Sequence, residues 1–307
     1  MGCDQNVFIR SFSVDQSLTT TGEKCGGVVG FLNCVKSWIG KLNPDGIVVC
    51  WDGEGGSLRK RKLFPNYKAQ RKPFTHSSNP EEASDVKNKL WQLKLIVEIL
   101  KFFPVCQLYV DNCEADDVIY YVAQKLKHTN KIIVSSDRDF YQLVNEKTRI
   151  YSLGKKMLLS STDIVNELNV LPENFVLYRS ITGDHSDNID GIKGIGPAKF
   201  KKLLPMLAEQ EVSSFNEFKQ IISEKNDVKY NVITNEWDKL ERNYELIKLD
   251  YAHLSLNQIS KIDTAIKNYI PRVEILGIRK KLLESKISIS YLESILSAFR
   301  QLTTSTS

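Results

Sequence analysis

At 307 residues the chain is too long for one small module and suits a large α/β domain with an appendage, or two domains. Hydrophobic residues at 42% and charged ones at 26% exclude wholesale disorder and collagen-like structure. A net charge of +5 points weakly to a polyanionic partner. The longest charge-free apolar stretches, near 25–35 and 102–110, fall short of the roughly 18 residues a membrane span needs, so no membrane association is expected. No basic segment followed by an apolar core opens the chain, so a secretory signal is not expected. Six cysteines stand singly without a CxxC pair, and four histidines do not complete a zinc site. The expectation is a reduced, cytoplasmic protein.

Taken in chain order, residues 28–39 read as a helix, and Ile47-Val48-Val49-Cys50-Trp51 as a strand running into Asp52-Gly53. A basic run follows: Arg59-Lys60-Arg61-Lys62, then Tyr67-Lys68-Ala69-Gln70-Arg71-Lys72, with Phe64 and Tyr67 interleaved. Residues 72–84, with Pro73, Pro80 and several serines, read as a mobile loop before a helix over 86–102. A second strand, 105–110, precedes Asp111-Asn112-Cys113-Glu114, and a helix covers 115–126. A third, 131–134, stops at Ser135-Ser136-Asp137. Strands alternating with helices imply a parallel sheet, in which functional groups gather beyond the carboxyl ends of the strands. Beyond Ser160 no strand is evident: helices are expected over 162–168, capped by Ser161 or Thr162, and over 175–182. A glycine- and aspartate-rich loop spans 183–196, and a helix over 197–207 has proline in its first turn. Residues 212–300 read as helical and lysine-rich, with a disordered tail over 303–307.

The acids follow this layout. Asp52 ends one strand, Glu114, Asp116 and Asp117 open the helix after the second, Asp137 and Asp139 follow the third, and Asp184 and Asp187 sit in the glycine loop. Any one of them alone suits a solvated residue or a helix cap. Eight carboxylates packed together would repel one another without cations. Hard oxygen ligands with little His or Cys nearby suit Mg²⁺ or Mn²⁺. Two such ions about 3.5–4 Å apart are a standard device for phosphodiester hydrolysis. Setting those eight aside leaves 42 basic against 29 acidic residues, an acidic hole in a basic surface that suits nucleic acid. Phe64 and Tyr67 favour a surface on which bases stack. Around Gly191-Ile192-Lys193-Gly194-Ile195-Gly196-Pro197-Ala198, backbone amides can approach a phosphate. Lys193, Lys199, Lys201 and Lys202 supply charge for sequence-independent binding.

The combination of Gly30-Phe31-Leu32, Trp51-Asp52-Gly53, Tyr67-Lys68-Ala69-Gln70-Arg71, Glu114-Ala115-Asp116-Asp117, Ser136-Asp137-Arg138-Asp139 and Gly183-Asp184-His185-Ser186-Asp187-Asn188-Ile189 resembles the 5′-nuclease family. That family includes flap endonucleases, 5′→3′ exonucleases of phage replication, and the 5′-nuclease domain of bacterial DNA polymerase I. The resemblance covers roughly residues 6–204. It implies a PIN-like parallel sheet flanked by helices with a helical arch, plus a helix–three-turn–helix domain that grips duplex. The implied boundaries are 1–160 for the nuclease core, with the arch over about 60–103, 161–265 for the duplex-binding domain, and 266–307 for a helical extension. By position, Asp52, Glu114, Asp116 and Asp137 resemble ligands of a tighter metal cluster. Asp139, Asp184 and Asp187 resemble a second, with Asp117 near both. Lys68 and Arg71 match residues that contact the scissile phosphate, and Asp116 and Asp137 join them as catalytic candidates. Arg10, Tyr67, Lys193, Gly194, Gly196 and Lys199, with Lys68 and Arg71, form the implied DNA-binding set. The implied cofactor is two Mg²⁺ ions, with Mn²⁺ able to substitute. The implied substrate is DNA with a 5′ flap or nick, or an RNA primer, and a replication clamp or single-strand-binding protein is an implied partner of a monomeric enzyme.

One departure stands out. The family opens with an apolar strand ending in Asp-Gly, whereas this sequence begins Met1-Gly2-Cys3-Asp4-Gln5-Asn6, so the strand is expected to be missing and Asp4 sits one position off. Two expectations follow: that 1–307 is a shortened version of a longer chain, and, as an alternative function, that the protein is a catalytically impaired DNA-binding replication accessory. A phosphatase with Asp52 as nucleophile fits less well, because that chemistry wants Asp-x-Asp and Asp52-Gly53-Glu54 offers a glutamate.

Overall fold

The computed structural model describes residues 1–70 and 80–304. The strands are β1 (Gly2–Cys3), β2 (Val48–Trp51), β3 (Cys106–Tyr109), β4 (Lys131–Ser135), β5 (Thr148–Ser152), β6 (Met157–Leu159), β7 (Gly183–Asp184) and β8 (Ile189–Asp190). Strands β1 to β3 pair in the order β3-β2-β1, strands β4 to β6 pair in the order β4-β5-β6, and β7 and β8 form an antiparallel pair. The α-helices are α1 (Asn6–Val14), α2 (Gly26–Leu42), α3 (Leu58–Leu63), α4 (Pro80–Leu100), α5 (Ala115–Lys125), α6 (Ser161–Leu168), α7 (Phe175–Thr182), α8 (Pro197–Leu203), α9 (Phe215–Glu224), α10 (Asn231–Thr234), α11 (Trp237–Ile247), α12 (Leu256–Lys267), α13 (Ile275–Glu284) and α14 (Leu292–Thr304).

The chain clusters into two compact units. One comprises Met1–Gly53 with the described parts of Pro73–Asp111 and Ser255–Ser307; the other comprises Glu54–Lys72, as far as described, and Asn112–Leu254. In the first unit, β1 pairs parallel with β2 (Gly2 opposite Val48, Cys3 opposite Val49), and β2 pairs parallel with β3. The terminal amine of Met1 donates to the Gly46 carbonyl at 2.8 Å, and Val48 N–H donates to the Met1 carbonyl at 2.9 Å. The expected missing strand is therefore present. It is two residues long, too short to show a periodicity, and the sheet's hydrogen bonds define it. Asp4 follows it directly, 2% exposed, and accepts from the Asn6 N–H and side-chain amide, both at 3.0 Å. A nine-residue helix, α1, then precedes the one over 28–39 that the sequence suggested as first.

Helix α2 packs on α1, α4 and α14, burying Phe31, Leu32 and Val35 completely. Such burial is worth about 1.5–3 kcal/mol per large apolar side chain. Gly27 permits the close α1–α2 crossing, since a Cβ there would lie 2.7 Å from the Phe8 ring. The buried Gln92 of α4 accepts from Gly27 N–H at 2.7 Å, satisfying an otherwise orphaned donor at the start of α2. In the second unit β4 pairs parallel with β5, and β5 antiparallel with β6; these last two strands were not evident from the sequence. Helix α7 covers the expected 175–182 and packs against α11. The fully buried Asn243 of α11 donates to the carbonyls of Ser180 at 3.0 Å and Asp190 at 2.9 Å, tying the glycine loop to α7. The cap of α6 is Ser160, which with Asp163 forms a capping box, one residue earlier than expected. Helix α8 stops at Leu203 and is followed by a 3-10 turn, Pro205–Ala208. Arg71, residues 72–79 of the expected loop and residues 305–307 of the expected tail lie outside the described residues; Thr303 and Thr304 of that tail belong to α14.

Candidate active site

Helix α5 builds the first part of the site. Glu114 is its N-cap residue in extended conformation, and Asp116 and Asp117 occupy its first turn, where the partial positive charge of the helix end favours anions. Glu114 is buried between two ammonium groups: Lys60 of α3 at 2.8 Å and Lys68 at 2.6 Å. Burial alone would raise its carboxyl, but the two lysine charges outweigh it and hold the group down at about 2. Lys60 is itself 4% exposed, and despite burial Glu114, Asp117 and Asp116 push its pKa upward.

Beyond β4, Asp137 caps a 3-10 turn and accepts from the Asp139 N–H at 2.9 Å. Asp184 caps the turn after β7 in the same way, accepting from the N–H and hydroxyl of Ser186, each at 2.8 Å. Gly183 makes this turn possible: its φ is +83°, and a Cβ would lie 2.4 Å from the Gly191 nitrogen. Asp139, Asp184 and Asp187 each present a carboxylate oxygen within 4.8 Å of the others. Arg179 of α7 backs this trio, pairing with Asp184 at 2.5 Å and lying 3.6 Å from Asp139. The facing Asp139 oxygen is buried and, among the described residues, accepts no hydrogen bond.

The mutual repulsion is legible in the carboxyl groups. Burial first, then Asp137 and Glu114, raises Asp116 well above the usual carboxylate range. Burial and the charge of Asp137 do the same to Asp139. Burial, then Asp187 and Asp184, raises Asp137, although the Asp139 N–H opposes the shift. Clustered hard-oxygen donors whose ionised forms destabilise one another fit divalent cations of the Mg²⁺ class.

Of the predicted residues, the structure groups Lys68, Glu114, Asp116, Asp117, Asp137, Asp139, Asp184 and Asp187 within the second unit. Asp52 belongs to the first unit, exposed at the end of β2, as does Arg10, exposed on α1. Asp117 accepts a hydrogen bond from the Glu114 backbone, closing the start of α5. Its other oxygen lies 4.0 Å from His253, whose imidazole burial and the nearby Arg59 push down to about 4. Tyr67 is a correction. Instead of offering a ring to bases, it is 1% exposed, packed among Val176, Ile189, Leu246 and Ile247. Its hydroxyl donates to Asp187 at 2.9 Å. Burial, then the charges of Glu114 and Asp187, keeps that phenol protonated. Phe64, half-buried, stacks under the Arg242 guanidinium at 4.4 Å instead. Lys193, Gly194, Gly196 and Lys199 are exposed on one loop and the start of α8. Sequence reasoning missed Lys60 and Arg179 as partners of the acids. Lys60 sat in a basic run that reads as a solvated face, and Arg179 carried no motif signal of its own beside the glycine loop.

Among the described residues no helix is long and apolar enough to cross a membrane. Residues 4–170 match the family model of the 5′-3′ exonuclease N-terminal resolvase-like domain. The 5′-3′ exonuclease of Aquifex aeolicus is 28% identical over 309 residues, covering 96% of this chain and 93% of that one. The thermostable DNA polymerase I of Thermus aquaticus is 30% identical over 251 residues, covering 79% of this chain but 28% of the polymerase. Among solved structures, a bacteriophage T5 5′-exonuclease with bound zinc matches with a TM-score of 0.68 at 18% identity, over 92% of this chain and 98% of that one. The T5 flap endonuclease in a complex with DNA and metal ions matches at 0.64 and 17%, over 98% and 100%. These likenesses carry the fold, and the family model spans more than half of the residues. The chain belongs to the 5′-3′ exonuclease family.

Proposed function

We propose that the protein is a divalent-metal-dependent, structure-specific 5′ nuclease that hydrolyses phosphodiesters at 5′ ends or flaps of DNA. The observation that carries this reading is the carboxylate trio of Asp139, Asp184 and Asp187, continuous through Asp137 with Asp116 and Glu114, and faced by the Lys68 ammonium. Glu114, Asp116 and Asp137 would hold one cation and Asp139, Asp184 and Asp187 a second, with Asp117 bracing α5. Mg²⁺ is the proposed ion, with Mn²⁺ as substitute. Such ions lower the pKa of bound water and offset charge on attacking and leaving oxygens. Lys68, whose ammonium lies between Glu114 at 2.6 Å and Asp187 at 3.9 Å, would add a donor beside the transferring phosphate, an electrostatic contribution greatest in the transition state. Lys60 and Arg179 hold their carboxylates in place and dilute the negative charge that would repel a phosphate. Exposed Lys193 and Lys199 bind duplex backbone without reading sequence. DNA carrying a 5′ flap or nick, including RNA-primed duplex, is the proposed substrate, acted on by a cytoplasmic monomer working beside a replication clamp or single-strand-binding protein.

The test is a 5′-end-labelled flap duplex incubated with Mg²⁺, Mn²⁺ or chelator. Short 5′ products should form with either ion and vanish with chelator. Asp137→Asn should lower turnover by about two orders of magnitude or more while duplex affinity stays near wild type. An Asp137→Asn protein that cuts at the wild-type rate would overturn the assignment.

A further inference from the structure

Two segments 120 residues apart meet through a set of hydrogen bonds that the proposed chemistry does not itself require. Lys68 N–H donates to the Asp187 carbonyl at 3.0 Å. The Asn188 amide donates to the Asn66 carbonyl at 2.8 Å and accepts from the Gln70 side chain at 2.6 Å. The Tyr67 hydroxyl reaches Asp187 beneath them at 2.9 Å. Lys68 and Asn188 both have left-handed backbones, with φ of +54° and +59°. Asparagine tolerates that region, whereas lysine seldom adopts it unless its surroundings impose it. Here they do: one turn of chain is bonded on both sides of Lys68. Its side chain is thereby directed inward to Glu114, where an unconstrained lysine would extend into water.

We infer that Asn188 is a positioning residue for the reaction, a latch whose side chain fixes the 66–70 turn and through it the Lys68 ammonium. The inference rests on the reading of Lys68 as the phosphate-facing donor. It predicts that losing the latch costs turnover only while Lys68 is present.

Asn188→Gly is the suitable variant, because glycine keeps the left-handed backbone and removes only the side-chain bonds. With wild-type Lys68 it should lower kcat about 10- to 50-fold with KM within about threefold. Mn²⁺ affinity by calorimetry should be unchanged, since no carboxylate is removed. In a Lys68→Ala background, single-turnover rates with and without Asn188→Gly should agree within about twofold, the signature of two residues acting as one unit. Equal losses in both backgrounds, or a loss of Mn²⁺ affinity, would overturn the latch. Should Asn188→Gly fail to fold, Gln70→Ala breaks one leg from an exposed side chain and should show the same dependence on Lys68, with independence again overturning it. If Lys68→Ala leaves turnover intact, the reading of Lys68 itself falls, an outcome separable from additivity between the two sites.

Discussion

Lys60 shows how much a single buried charge carries here. It is enclosed beside Glu114 and lies 3.4 Å from the Tyr67 hydroxyl, so its removal leaves a carboxylate with one counter-charge in a low-dielectric setting. Lys60→Met should destabilise the fold by about 3–5 kcal/mol in urea denaturation, the range for breaking a buried pair, and Lys60→Arg by less. The acid limb should respond too. Glu114 is held at about 2, below its usual 4.5, so its ionisation contributes stability that is complete above 4.5 and disappears as pH falls through 2. With Lys60 gone that window narrows from below, and acid unfolding should begin at higher pH. An acid-unfolding midpoint unmoved in Lys60→Met would show that Lys68 alone sets the Glu114 carboxyl.

The glycine loop and α8 are where substitution can separate steric blocking from backbone strain. Gly194 has φ of +80°, so any L-residue there adds strain of about 1–2 kcal/mol whatever it does to a phosphate. Gly196 is extended, with φ of −88°, and a Cβ there meets nothing within 4 Å. Gly196→Val should therefore fold as wild type and weaken duplex binding about tenfold by fluorescence anisotropy, if backbone amides of this loop approach phosphate. Unchanged affinity would place the duplex elsewhere. Gly194→Val should lower thermal stability as well, and so tests the loop less cleanly.

Divalent-ion binding at these acids would link metal, protons and folding across the second unit. Asp116, Asp137 and Asp139 have raised carboxyl pKa values through burial and their neighbours' charge. Without cations, their protonation stabilises the folded state fully below the unfolded pKa, and that contribution is lost as pH rises through the folded values. Divalent ions should displace the protons and relieve the repulsion. Mg²⁺ should therefore raise Tm more at pH 8.5 than at pH 6. Calorimetry in buffers of different ionisation enthalpy should show net proton release on binding. A pH-independent Tm shift with no proton release would mean that the acids are already ionised and balanced by the resident Lys and Arg groups.

The acids that follow β2, β3 and β4 were readable from sequence because short apolar runs ending in turn residues alternate there with helical stretches, and parallel sheets gather function beyond their strand ends. Helices α2, α5 and α7 were readable for the same reason: their periodicity is long enough to fix a buried face. Strand β1 was not, since two residues hold no period and only pairing with Val48 and Val49 defines it. Nor could sequence assign Tyr67 or Lys60, which look like surface residues within a basic run; burial depends on what packs over them, namely Val176, Ile189 and the acids of α5. The family motifs singled out the carboxylates proposed to hold cations. The partners that make those charges tolerable, Lys60, Arg179 and the Asn188 bonds, come from segments 54 to 122 positions away or from a neighbouring turn, and folding alone brings them into contact.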